Sequence, residues 1–178
     1  MDKLIDLANS GKSFWKFTQS QMGKSVEKVY AHYVEGSITV AEDLEHGLFF
    51  TESSFVSNFI MYGDILTKLC MDVNNPKFIK IAHNEVRHYT NGFYETKEIL
   101  VEKNYSLAHK EGIRMLFEIT PFQDFKFLFL DTTFSPSIKN KLNLLKYTEA
   151  EELVEELEKY KDISKEAVMS YIDKYRFF

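Results

Sequence analysis

The residues whose types could do chemistry are few and widely spaced. They are a histidine at His32, a histidine pair at His83 and His88, one cysteine at Cys70, two Gly-Lys-Ser triplets and a glutamate, Glu118, among alternating apolar residues. The triplets begin at Gly11 and Gly23, but Asp6 and Thr18 stand where a phosphate-cradling loop needs its upstream glycine, so neither is such a loop. His83 and His88 are five residues apart, a spacing that puts them on one face of neither a helix nor a strand, and no third ligand stands nearby. They read as two solvated histidines. Cys70 sits in an apolar run and reads as a small buried hydrophobe. A single cysteine excludes an internal disulfide and a zinc cluster built on thiolates. Glu118 is different: Ile113, Met115, Phe117 and Ile119 alternate with Arg114, Leu116 and Glu118, which predicts a strand with a carboxylate on its more polar face. That carboxylate is either a fixed acid or a solvent-facing strand residue.

These groups are positioned by elements read from hydrophobic rhythm. Residues 2 to 9 predict a short helix through Leu4, Ile5, Leu7 and Ala8, ended by Ser10-Gly11. Phe14, Trp15 and Phe17 fasten an N-terminal arm onto the core. Val26 to Val34 reads as a strand with Tyr30 and His32 on one face, and residues 35 to 46 as a loop or short helix. Gly47 leads into the strand Leu48-Phe49-Phe50. Thr51-Glu52-Ser53-Ser54 ends that strand and opens a helix carrying Phe55, Val56, Phe59 and Ile60, which Gly63-Asp64 stops. Ile65, Leu66, Leu69, Met71 and Val73 predict a second strand, turned away by Asn74-Asn75-Pro76.

Farther along, Lys77 to Ile81 extends the chain in an apolar stretch, and His83 to Asn91 is polar. Residues 93 to 110 predict a helix burying Ile99, Leu100, Leu107 and Ala108, ended by Gly112. The strand around Glu118, a turn at Pro121 and an apolar strand from Phe125 to Leu130 make a core hairpin. Beyond Pro136 the pattern is helical. Thr148 and Glu151 form a capping box ahead of Leu153, Val154 and Leu157, and a last helix from Ser164 turns Ala167, Val168, Tyr171 and Ile172 inward.

A chain of 178 residues is long enough for one domain with a real core, read here as an arm (1–25), a core (26–134) and a helical appendage (135–178). Hydrophobic content of 44% beside 28% charged residues argues against disorder, and a net charge of −5 argues against a chain built to grip phosphate backbones. No run approaches membrane-spanning length and the N-terminus lacks a secretory pattern, so the expected compartment is the cytoplasm.

The order of these elements, with the motifs on them, resembles the ADP-ribosyltransferase-like fold over about residues 28 to 134. The similarity is to small bacterial and phage members, among them toxins, effectors and anti-defence proteins. It implies an α+β chain with a split β-sheet core. The first motif of such families is similar to Tyr30-Ala31-His32-Tyr33, which makes His32 the group that bonds an NAD ribose hydroxyl, with Tyr33 and Val34 replacing the usual glycine and threonine. The second is matched by Gly47-Leu48-Phe49-Phe50-Thr51, where Phe49 falls at the position of a nicotinamide-stacking tyrosine and keeps the ring without the hydroxyl. Thr51 and Ser53 either bond the cofactor or cap the helix that follows. For the third motif, the acid, the resemblance offers Glu118 first, after His109-Lys110-Glu111-Gly112-Ile113, and Asp124 second.

The chemistry implied has a physical basis. Breaking the bond from ribose to nicotinamide develops positive charge on the sugar, which a fixed carboxylate in a water-poor cleft stabilises. Stacked rings hold the flat nicotinamide in place. Two functions follow as expectations. One is an NAD-dependent mono-ADP-ribosyltransferase acting on a macromolecule, expected to be a protein, with NAD as its substrate. The other is a non-catalytic binding or inhibitory module on the same scaffold. An RNA-directed activity ranks below both, because the chain is acidic.

Overall fold

The computed structural model describes residues 1–18, 33–42, 45–90, 92–107 and 109–120. The strand Val26 to Val34, apart from its last two residues, the hairpin strand Phe125 to Leu130 and the helices beyond Pro136 lie outside them. Tyr33 and Val34 themselves are not in a strand.

In chain order the elements are β1 (Asp2–Lys3), α1 (Leu4–Ala8), β2 (Phe14–Thr18), β3 (Ile38–Val40), β4 (Leu48–Glu52), a 3-10 helix (Ser53–Tyr62), β5 (Ile65–Leu69), α2 (Pro76–Ile81), β6 (Glu85–Tyr89), β7 (Phe93–Thr96), β8 (Glu98–Ser106) and α3 (Lys110–Ile119). The fold is α+β. The strands among the described residues form one eight-stranded antiparallel sheet in the order β1-β6-β7-β4-β2-β5-β8-β3. The chain divides into two compact units, Met1–Asn104 and Tyr105–Phe178.

The aromatics Phe14, Trp15 and Phe17 belong to the sheet itself and not to an arm laid upon it. They sit on β2, which pairs with β4 through Phe14↔Glu52 and Trp15↔Thr51, and with β5 through Trp15↔Lys68 and Phe17↔Leu66. Every residue of β2 is buried, the pattern of an interior strand covered on both faces. On one face the core gathers Phe14, Leu48, Phe50, Val86 and Tyr94 from the strands with Leu4 and Leu7 of α1 and Phe78 and Ile81 of α2. Phe14 meets Phe50 and Tyr94 edge-on at 5.8 and 5.7 Å, while Phe50 and Tyr94 stack at 5.4 Å. Each such ring, fully buried, stabilises the fold by about 2–3 kcal/mol. The alternate residues Trp15, Phe49, Thr51, Phe93 and Glu95 point to the other face, where Phe59 of the 3-10 helix meets Phe93 at 5.8 Å.

Several elements differ from their sequence expectation. Residues 93 to 106 form β7 and β8 in place of the helix expected over 93 to 110, and Ala108 lies outside the described residues. The apolar run Ile99-Leu100-Val101 is buried on both sides, and such a run has no periodicity to separate a strand from a helix. The polar stretch from His83 onward contains β6, which pairs with β7 through Arg87↔Glu95, His88↔Tyr94 and Tyr89↔Phe93. Lys77 to Ile81 is helical: Pro76 takes the first helical position, where its missing N–H costs nothing, and the Asn75 side chain accepts from Lys77 N at 2.9 Å. Residues 35 to 46 hold β3, whose Ile38 and Val40 pair with Leu100 and Glu98.

The segment around Glu118 is the helix α3, not a strand. Gly112, Leu116 and Thr120 are buried at a spacing of four, the stripe of one helix face. Gly112 lies inside this helix, and a Cβ there would stand 1.9 Å from the Ser106 carbonyl oxygen. The seven-residue window fitted both periods because Ile113, Met115, Phe117 and Ile119 are all apolar.

Candidate functional site

The second motif is where the resemblance puts most of its site, and β4 fixes what each of its residues faces. Phe49 is half-buried, with Tyr89 and Phe93 at centroid distances of 6.1 and 5.8 Å. Phe50 faces the core. Thr51 is buried and its hydroxyl donates to the Gly92 carbonyl at 2.7 Å, tying β4 to the turn before β7. Ser53 opens the 3-10 helix, and its backbone N–H donates to Ser13 O at 3.1 Å. The position before that helix is Glu52, and no side-chain cap bond is made there.

Two further predicted residues, Tyr33 and Glu118, fall among the described ones. Tyr33 is buried in the core, its hydroxyl accepting from Lys16 Nζ at 2.8 Å, with that ammonium 4.4 Å from the ring centroid. Glu118 is exposed on the last turn of α3, in the second unit. His32 and Asp124 lie outside the described residues. Among the described residues of the first unit, the predicted residues that the structure brings together are Gly47, Phe49 and Thr51, which are neighbours in sequence.

What it adds is a cleft of about 400 Å³ beside Gly47, over β6, β7 and the chain leading into β4. Its floor is Glu95, whose side chain is 10% exposed. Glu95 Oε1 accepts from Gly47 N at 2.6 Å, Oε2 accepts from the Tyr89 hydroxyl, and Arg87 Nη1 stands 3.8 Å from Oε2. Register explains the gathering: Arg87 and Phe49 flank Glu95 across the sheet as its direct cross-strand partners, and Tyr89 is one pair further along the same face. Gly47 is required by closeness. A Cβ on it would stand 2.6 Å from Thr96 O and 2.7 Å from Glu95 Cγ, so any side chain would push β4's entry away from the carboxylate. Glu45, His46, His83, Glu85 and Lys97 are among the other residues that line it. Among the described residues no group of three or more His, Cys, Asp or Glu side chains is placed to hold a metal ion.

A second buried carboxylate, Glu52, lies on the neighbouring strand and the opposite face. It accepts from Ser54 Oγ at 2.7 Å, Lys12 Nζ at 3.0 Å and the Tyr94 hydroxyl at 3.1 Å. Burial alone would raise this carboxyl, but the three bonds and the Lys12 charge outweigh it and hold Glu52 below its ordinary value. Burial, and then the adjoining Glu52 carboxylate, push the Tyr94 phenol up to about 12. His88 stacks on Tyr94 at 4.6 Å.

Glu95, Tyr89 and Arg87 escaped the sequence reading, which gave Glu95 to a helix. The signal that reveals them is Asn91-Gly92, a dipeptide that favours hairpin turns because Gly takes a positive φ at no cost; Gly92 has φ 74°. No protein-family model, curated protein or solved structure matches this chain. No helix among the described residues is long and apolar enough to cross a membrane.

Proposed function

We propose that the chain is a non-catalytic binding or inhibitory module on an ADP-ribosyltransferase-like scaffold, acting on a protein partner, with the cleft over Glu95 as its small-ligand site. The observation behind this reading is the state of the motif residues. The Thr51 and Tyr33 hydroxyls are taken by Gly92 O and Lys16, and the Phe49 ring is packed against Tyr89 and Phe93. Groups so engaged hold the sheet together; they would have to be released before they could bond a cofactor, at the cost of buried hydrogen bonds.

A second reading, the NAD-dependent mono-ADP-ribosyltransferase, has one observation in its favour. Gly47, the first residue of the second motif, borders a cleft whose floor is a fixed carboxylate. A held acid of this kind could stabilise charge developing on a ribose. In that case the acid is Glu95, and Glu118 and Asp124 are not needed.

One experiment separates them. Thermal denaturation with millimolar NAD reports binding, because a ligand of the native state raises the melting temperature. Incubation with labelled NAD and lysate reports transfer. The binding module predicts a shift without transfer. Label on any protein overturns it, and Glu95→Gln should then abolish labelling while Glu118→Gln keeps it. Absence of a shift removes NAD as the ligand in both readings.

A further inference from the structure

The cleft also carries an indication of what its ligand presents, and the point rests on the cleft being the ligand site. Arg87 is the group concerned. Its Nη1 donates to the Tyr89 hydroxyl at 3.3 Å and approaches Glu95 at 3.8 Å, while its side chain is 65% exposed. Tyr89 is in turn fixed by its bond to Glu95 and by stacking on Phe93 at 4.7 Å and 9°. One edge of the guanidinium is thus anchored. Nε and Nη2 have no protein partner among the described residues, and neither has Lys97 Nζ, between β7 and β8.

We infer that the cleft receives an oxyanion of its ligand, a phosphate or a carboxylate, on the Arg87 guanidinium with Lys97 beside it. A planar fork of N–H donors pre-set by its other edge matches two oxygens of one group and loses little freedom on binding. The acids sharing the cleft are Glu45, Glu85 and Glu95. Glu95 already has both oxygens bonded, so it serves to hold Tyr89 and Arg87 and does not compete for the ligand's donors. Because three acids share the cleft with Arg87 and Lys97, recognition comes from the fork's geometry at short range. Long-range attraction contributes little, and binding should depend only weakly on salt.

The test is calorimetric titration of the full chain with ADP, malonate and adenosine, followed by the same titrations of Arg87→Lys and Arg87→Ala. ADP against malonate distinguishes a phosphate from a carboxylate, and adenosine lacks both. The wild type should bind at least one of the two oxyanions about tenfold or more tightly than adenosine. Arg87→Ala should lose that preference, and Arg87→Lys, which keeps the charge without the fork, should lose most of it. Adenosine binding as tightly as ADP, or either Arg87 variant retaining wild-type affinity, overturns the inference. NAD bound equally by wild type and Arg87→Ala removes the oxyanion contact but keeps the cleft as the site; no binding of NAD, ADP or malonate at about 10 mM removes both.

Discussion

Glu52 and Glu95 are both carboxylates on adjoining strands with about a tenth of the side chain exposed, 11% and 10%, yet they have opposite surroundings. Glu52 faces the core side of β4, and its donors come from three separate places: Lys12 before β2, Ser54 in the 3-10 helix and Tyr94 on β7. It closes a junction. Glu95 faces the other side, is held by a backbone N–H and a tyrosine, and has open space above it. A buried acid bonded on every side is a staple, whereas one bonded from beneath and open above is the floor of a site. Alternation of faces along a strand is enough to produce both from neighbouring strands.

The largest way to break the comparison is from below the staple. Phe14→Ala removes the ring that packs against Tyr94 and should cost about 3–5 kcal/mol in urea denaturation, leaving the cleft intact in whatever remains folded. A loss under about 1 kcal/mol would mean that Phe14 is not the keystone of this face. Glu52→Ala should cost about 1–3 kcal/mol, since it orphans the Tyr94 hydroxyl and Ser54.

The same residue gives the pH behaviour. Because the folded Glu52 carboxyl lies below its unfolded value of 4.5, its stabilisation is present above that value and is lost as pH falls through the folded one. Glu52→Gln should therefore flatten the acid limb of the melting curve. Tyr94 works at the other end: its phenol is raised from 10.0 to about 12, so its stabilisation is present below pH 10 and disappears as pH rises toward 12. Tyr94→Phe should flatten that alkaline limb, and an unchanged limb would show that the phenol titrates freely.

Gly47→Ala tests the open side. The intruding methyl should cost about 1–2 kcal/mol and weaken ligand binding in the cleft, and an unchanged midpoint would mean that Thr96 and Glu95 give way easily. The smallest effect belongs to Lys12→Ala. Lys12 is 56% exposed, so its pair with Glu52 should contribute no more than about 1 kcal/mol and weaken further in salt.

The legible parts of the chain were those where local chemistry admits one answer. Leu4 to Ala8, the strand from Leu48, the helix up to Gly63 and the strand from Ile65 each carry both a rhythm and a stop signal. The illegible parts carried only one. Glu98 to Ser106 has charged residues at helical spacing and an apolar run without period, and Lys110 to Ile119 has apolar residues that satisfy both periods at once. Misreading β7 and β8 displaced Glu95 from the face where it meets Arg87.

By itself the sequence determined the α+β class, the exclusion of an internal disulfide or a thiolate cluster and the glycine at position 47, because these depend on composition or on a few neighbouring residues. Only the tertiary structure decided which carboxylate became a staple and which a floor. Glu52 lies next to Thr51 in the chain, but its partners Lys12 and Tyr94 are 40 and 42 residues away, and Glu95 meets Gly47 across 48. Such contacts are set by strand order and register, which a sheet acquires only when its strands have found one another.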